Sequence, residues 1–198
     1  GKIGWGLVTS SITELVDTAL PPERVKELRE TVLEVEGILS AHDFKSRTMG
    51  NQVLLEMHLQ VAPHLSASEG HYVGDLAVYA LQNRFDDLSH IIFHIDTYDD
   101  QPFHDQPMPV MPSRKEIKVL IYQQMDQLIG SHDNFQLTLY YDPSYVDIEL
   151  KLQAEFMAEL DKAALSLPAF RTQLEQELGR TGWFRNLTIW LPEPQMRP

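Results

Sequence analysis

Gln52-Val53-Leu54-Leu55-Glu56-Met57-His58-Leu59-Gln60-Val61 decides how the rest of the chain is read. Val53, Leu55, Met57, Leu59 and Val61 share one face of an extended strand, because successive side chains point to opposite sides. Leu54, Glu56, His58 and Gln60 share the other. A strand with one apolar face needs an amphipathic cover, and helical patterns flank it on both sides. Upstream, Pro22 suits the first position of a helix, Val25, Leu28 and Val32 recur at helical spacing, and Gly37 suits the stop. Residues 40–47 read as a strand, with a turn at Met49-Gly50-Asn51. Downstream, Ser66-Ala67-Ser68-Glu69 reads as a capping box. It opens a helix whose core stripe is Val73, Leu76, Ala77, Ala80 and Leu81. A strand over residues 90–97 closes the set, sending Ile91, Phe93 and Ile95 one way and Ile92, His94 and Asp96 the other. The order is helix, strand, strand, helix, strand.

The second half repeats it. Ser113-Arg114-Lys115-Glu116 is a capping box before Ile117, Leu120, Ile121, Met125 and Leu128. Phe135, Leu137, Leu139 and Tyr141 alternate, and Asp142-Pro143-Ser144 turns the chain. Val146, Ile148, Leu150 and Leu152 then alternate with Asp147, Glu149, Lys151 and Gln153. A helical region interrupted at Pro168 carries Leu160, Leu167, Leu174 and Leu178, and Leu187, Ile189 and Leu191 form a closing strand. The offset between corresponding elements is roughly 90 to 95 residues, which reads as a diverged internal duplication. Between the halves, Pro102, Pro107, Pro109 and Pro112 make a stiff, extended linker. The expected organisation is a helix over residues 1–20, an αββαβ domain over 21–99, a linker over 100–112 and a second αββαβ domain over 113–198. The fold class is α+β, each domain a sheet with helices on one face.

Composition narrows the function. Acidic residues number 29 against 16 basic ones, for a net charge of −13, which disfavours nucleic acid and suits cations. There is no cysteine, hence no disulfide, thiolate zinc ribbon or cysteine nucleophile. No stretch approaches the roughly 18 apolar residues that a membrane span needs. Seven of the eight histidines precede the second domain. His94 and Asp96, at i and i+2, share a strand face; His58 lies on the polar side of its own strand, and His42 opens another. Imidazole with carboxylate suits zinc or a similar divalent ion, and Asp96 has two oxygens with which to bridge two ions. The same residues are also compatible with a plain polar sheet face. His71 stands apart on a helix with Asp75 at i+4, so it reaches the sheet histidines only by curling over the sheet end or across a contact between protomers.

At these residues the chain resembles the cytoplasmic C-terminal domain of cation diffusion facilitator transporters. The likeness is carried by Glu14-Leu15-Val16-Asp17-Thr18-Ala19-Leu20-Pro21, Gly37-Ile38 and Ala41-His42-Asp43-Phe44-Lys45-Ser46-Arg47. It continues in Glu56-Met57-His58-Leu59, Gly70-His71-Tyr72-Val73-Gly74-Asp75 and Ile92-Phe93-His94-Ile95-Asp96, and spans about residues 14 to 98. The resemblance implies a ferredoxin-like, metallochaperone-like αββαβ fold that forms a homodimer at the cytoplasmic face of the inner or plasma membrane. It implies zinc or related ions (Cd2+, Co2+, Mn2+, Fe2+) at His42, His58, His71, His94 and Asp96. It also implies that residues 2–17 are the end of a last transmembrane helix, attaching the domain to a membrane part of about six spans. Thr97 stands where the family usually has Pro after the final acid. In the second domain Glu149 or Lys151 falls near the place of His58, and Trp190 and Pro192 near His94 and Asp96, so that domain has lost the ligands.

The function expected is a non-enzymatic metal-sensing and dimerisation domain of a divalent-cation efflux transporter, in which bound metal favours a closed dimer. Protons compete for imidazole as pH falls through about 6.5, the ordinary histidine value. A stand-alone metal-buffering protein and a binuclear metallohydrolase are the alternatives. Against the last, no separate general base or oxyanion donor stands out.

Overall fold

The computed structural model describes residues 20–99, 110–130 and 134–192. The leading helix expected over 1–20 and most of the 100–112 linker lie outside the described residues, as do His104 and His132. The chain divides into two compact units, residues 1–104 and 105–198. Among the described residues, no helix is long and apolar enough to cross a membrane.

The first unit runs α1 (Pro22–Leu33), β1 (Ile38–Met49), β2 (Gln52–Val61), α2 (Ala67–Arg84) and β3 (Leu88–Asp96). Its sheet has the order β1-β2-β3, with β1 antiparallel to β2 and β3 parallel to β2. The parallel pair requires a crossover connection, and α2 supplies it. The apolar face read at Val53, Leu55, Met57, Leu59 and Val61 is buried throughout. It packs with Leu28 and Val32 of α1 and Ala77 and Leu81 of α2. Full burial of each such side chain stabilises the fold by about 1.5–3 kcal/mol.

Two local features differ from the pattern reading. The stripe of α2 that meets the sheet is Gly70, Val73, Gly74, Ala77 and Leu81, while Leu76 is exposed. The glycines seat the helix close to β3. A Cβ on Gly70 would stand 3.3 Å from Ile95, and one on Gly74 would stand 2.6 Å from ring carbons of Phe93. Helix α1 ends at Leu33, and Gly37 lies beyond it, at φ +99°, in the turn into β1. Ser66 Oγ accepts the Glu69 amide at 3.2 Å, capping α2.

A bulge in β1 sets up the polar face. His42 pairs with His58 and Lys45 with Glu56, so two residues of β1 lie between partners separated by only one in β2. Asp43 takes φ +51° there. In a regular strand the odd spacing of His42 and Lys45 would send them to opposite faces; the bulge keeps both on one.

The second unit contains α3 (Arg114–Ile129), β4 (Phe135–Tyr141), β5 (Val146–Leu152), α4 (Ala154–Lys162), α5 (Leu167–Gly179) and β6 (Phe184–Trp190). The sheet order is β4-β5-β6, again with one antiparallel and one parallel seam. Ser113 and Glu116 form a reciprocal capping box at α3. The interruption of the helical region lies at residues 163–166, where Ala164 has φ +52°. Pro168 opens α5 rather than ending its predecessor, as suits a residue with no N–H to donate. The split puts Phe156 of α4 against Phe170 of α5, ring centroids 5.3 Å apart and edge to face, in the core with Ile117, Ile121, Ile148 and Leu150.

The strand registers of the two units correspond, although their residue identities do not. Val53 pairs with Leu88, and the register slips before Leu54 and His90. Val146 pairs with Phe184, and the register slips in the same place before Asp147 and Asn186. His58 pairs with both His42 and His94, as Lys151 pairs with both Gln136 and Trp190. Lys151, not Glu149, therefore occupies the place of His58.

Candidate metal centre

The site lies on the sheet face opposite the helices, for a reason of strand period. Met57 and Phe93 pair and pack toward the helical side, so their neighbours His58 and His94 point away from it. Asp96, two residues after His94, shares that face and pairs with Gln60. The β1 bulge delivers His42 to the same place, where it is one of the two buried polar residues of the described chain.

His58 Nδ1 lies 2.9 Å from Asp96 Oδ2, and His42 Nε2 lies 3.9 Å from the same oxygen. The His42 and His58 ring centroids are 5.4 Å apart, and His58 stacks on His94 at 4.7 Å. Two ligand sets result. His42, His58 and Asp96 bring one ligating atom each to within 4.8 Å of one another, and so do Glu56, His58 and His94. Two neutral imidazoles and one carboxylate leave an open position on a tetrahedral ion, and suit zinc as well as iron(II) or manganese.

Of the five residues named from the sequence, the structure thus gathers His42, His58, His94 and Asp96. It does not bring His71 to them. His71 is on α2, exposed, with Nε2 3.8 Å from Asp75 Oδ2 and its ring 5.4 Å from that of Phe93, a residue of the helical side. Glu56 is the group the sequence reading passed over. Its signal was available: Glu56-x-His58 on β2 mirrors His94-x-Asp96 on β3, and an i, i+2 pair on a strand shares a face.

In the second unit the equivalent positions carry Gln136, Lys151, Trp190 and Pro192, which include no imidazole and no carboxylate. Glu149 remains, accepting a hydrogen bond from Tyr140 Oη at 3.2 Å. Burial, then that hydrogen bond, raises the Tyr140 phenol above its ordinary range. On the same sheet, Arg185 pairs with Asp147 and lies 3.5 Å over the Tyr145 ring.

Residues 20–98 match the family model described as the cytoplasmic domain of cation efflux proteins. The segment is similar to that domain, and it makes up under half of the chain. Similar proteins include metal tolerance protein 2 of Oryza sativa subsp. japonica, 32% identical over 94 residues, which are 48% of this chain and 24% of that protein. Metal tolerance protein C1 of Arabidopsis thaliana is 35% identical over 96 residues, 48% of this chain and 20% of its own length. The cation-efflux pump FieF of Salmonella typhi is 30% identical over 86 residues, 43% of this chain and 28% of that protein. The matched region thus spans a quarter or so of each relative. Among solved structures, a cadmium form of the MamM C-terminal domain aligns with a TM-score of 0.38 and 14% identity, over 39% of this chain and 98% of that one. The family match ends at residue 98, within the first unit, and does not extend into the second.

Proposed function

We propose that the first unit of this chain is a metal-sensing and dimerisation domain, the cytoplasmic part of a divalent-cation efflux transporter with zinc as its foremost ion. The observation that carries this reading is the convergence of His42, His58 and Asp96 on the sheet face that the core does not use. A buried imidazole beside a carboxylate is ready for a cation, because the donors are already positioned when the ion arrives. The family description and the names of the relatives, a metal tolerance protein and a cation-efflux pump, support the cation as cargo or signal.

His71, exposed and on the helical side, serves in this reading as a ligand offered to a second protomer. The ion then binds more tightly to the closed homodimer than to separate chains, and rising metal shifts the population toward the dimer. The second unit keeps the core pattern without the ligands and acts as a structural or interaction element. The family is one of transport proteins, so no catalytic role is assigned.

Zinc titration by calorimetry at neutral pH, with sedimentation on the same samples, tests the proposal. Binding accompanied by a shift toward dimer is expected, and His94→Ala with Asp96→Ala should remove it. No zinc binding, or unchanged affinity in that double variant, overturns it.

A further inference from the structure

We infer that the second unit binds a free, zwitterionic α-amino acid with a large apolar side chain on the sheet face opposite its helices. The site is a cleft of about 400 Å³ lined by Gln136, Thr138, Glu149, Lys151, Trp190 and Leu191. No residue of the metal reading takes part, because the cleft lies wholly in the second unit.

Strand period and register create the arrangement. Val146, Ile148 and Leu150 are buried in the core, so Asp147, Glu149 and Lys151 face the other way. Lys151 pairs with Gln136 on one side and Trp190 on the other, and Glu149 pairs with Thr138 and Thr188. One end of this face is satisfied internally: Arg185 pairs with Asp147, the Asn186 amide donates to Thr188, and Tyr140 donates to Glu149 Oε2. At the other end the side chains of Gln136, Thr138, Lys151 and Trp190 make no hydrogen bond or ion pair with any described residue. Trp190 is 55% exposed there and the adjoining Leu191 53%. Apolar surface beside a few convergent, unpaired polar groups is the make-up of a small-molecule cleft, and the volume falls within the usual range of about 300–1,000 Å³.

Charge selects the class of ligand. The cleft holds one cation, Lys151, and one anion, Glu149, so a ligand of either net charge meets a like charge, whereas a zwitterion satisfies both. The row Gln136, Lys151 and Trp190 offers three kinds of N–H donor to a carboxylate: an amide, an ammonium and an indole. In the next row Glu149 Oε1, not engaged by Tyr140, and Thr138 Oγ1 accept from an ammonium. The rows are two residues apart, roughly 6.6 Å along the strand. An ammonium and a carboxylate on one carbon meet both through the flexible arms of Lys151 and Glu149. The ligand's side chain then lies on Trp190 and Leu191, where an aromatic or branched aliphatic group gains most from burial. Lys151 and Trp190 take the places of His58 and His94, so the duplicated scaffold carries a different chemistry on the corresponding face.

Calorimetric titration of the 198-residue chain with L-phenylalanine tests this, alongside hydrocinnamate, which lacks the ammonium, and phenethylamine, which lacks the carboxylate. L-Phenylalanine should bind saturably and each analogue about tenfold or more weaker, since each leaves one charged group of the cleft without its partner. Lys151→Met and Trp190→Ala should each lower L-phenylalanine affinity by about tenfold or more, while Lys151→Arg, which still donates to a carboxylate, should retain most of it. Both substituted side chains are exposed, and thermal melts followed by circular dichroism verify that the variants fold. No saturable L-phenylalanine binding at millimolar concentration overturns the assignment. So does equal affinity for the three compounds, or unchanged affinity in Lys151→Met or Trp190→Ala. Zinc titration of the same chain reads the first unit, so failure here is distinguishable from failure of the metal reading.

Discussion

His58 Nδ1 stands 2.9 Å from Asp96 Oδ2 across the parallel seam between β2 and β3. Because His58 also belongs to the Glu56–His94 set, it is the one side chain common to both groups of ligands. His58→Ala should therefore reduce zinc affinity by about 100-fold or more, exceeding the loss in His42→Ala, Glu56→Gln or Asp96→Asn. Calorimetric titration of the four single variants checks the ranking. Any of the other three losing more than His58→Ala contradicts it.

The bulge that aims His42 rests on Asp43 at φ +51°, a conformation that Asn tolerates and β-branched residues do not. Asp43→Val should cost about 1–2 kcal/mol in denaturant melts, and it should weaken zinc binding through His42. Asp43→Asn should stay close to the parent in both measurements. Equal stability of the two variants would show that the bulge does not depend on this residue's backbone.

Gly74 lets α2 lie against Phe93, and Ala at this position places a methyl 2.6 Å from two ring carbons and closer to a third. Alanine's better helix propensity recovers up to about 1 kcal/mol, but overpacking costs about 1–3. Net destabilisation is expected in thermal melts of Gly74→Ala. Phe93→Leu should relieve part of it, so a strictly additive double variant would argue against the contact as the cause.

Acid should affect the second unit through its cap. Ser113 donates to the Glu116 carboxylate from its hydroxyl and its backbone amide, both at 2.7 Å, and these bonds hold the Glu116 carboxyl below its ordinary 4.5. A carboxyl with a lower pKa folded than unfolded stabilises the fold fully above its ordinary value. That contribution disappears as pH falls from 4.5 through the lowered folded value. Ser113→Ala should cost about 1 kcal/mol at neutral pH through the lost cap, and its acid-side decline should be shallower than the parent's. Parallel declines on acid titration would dismiss the linkage.

Much of the fold was legible because strand and helix periods are local. The alternation at residues 52–61 and 146–152 marks each central strand's buried face, and both faces are buried in the structure. The β1–β2 turn is where Gly50, at φ +63°, suggested it. Leu76 was misplaced because a helical wheel ranks apolar residues by type, while contact with the sheet favoured the small side chains of Gly70 and Gly74. The break in the helical region was visible near Pro168, but its position depended on the left-handed Ala164, for which proline is no guide.

At the candidate site, residue type and strand parity were enough to single out His42, His58, His94 and Asp96, while His71 was read as a helical residue paired with Asp75 at i+4. The sequence by itself determined two αββαβ-type patterns in tandem and which side chains share a strand face, since both depend on spacing along one strand or helix. The tertiary structure alone decided the pairing across strands. It set His58 opposite both His42 and His94, brought Asp96 and Glu56 to opposite flanks, and left His71 on the helical side. It also assigned Lys151 rather than Glu149 to the place of His58 in the second unit. The physical reason is register: one residue of slip or one bulge reverses the face of everything beyond it, and neither leaves a periodic trace in the chain.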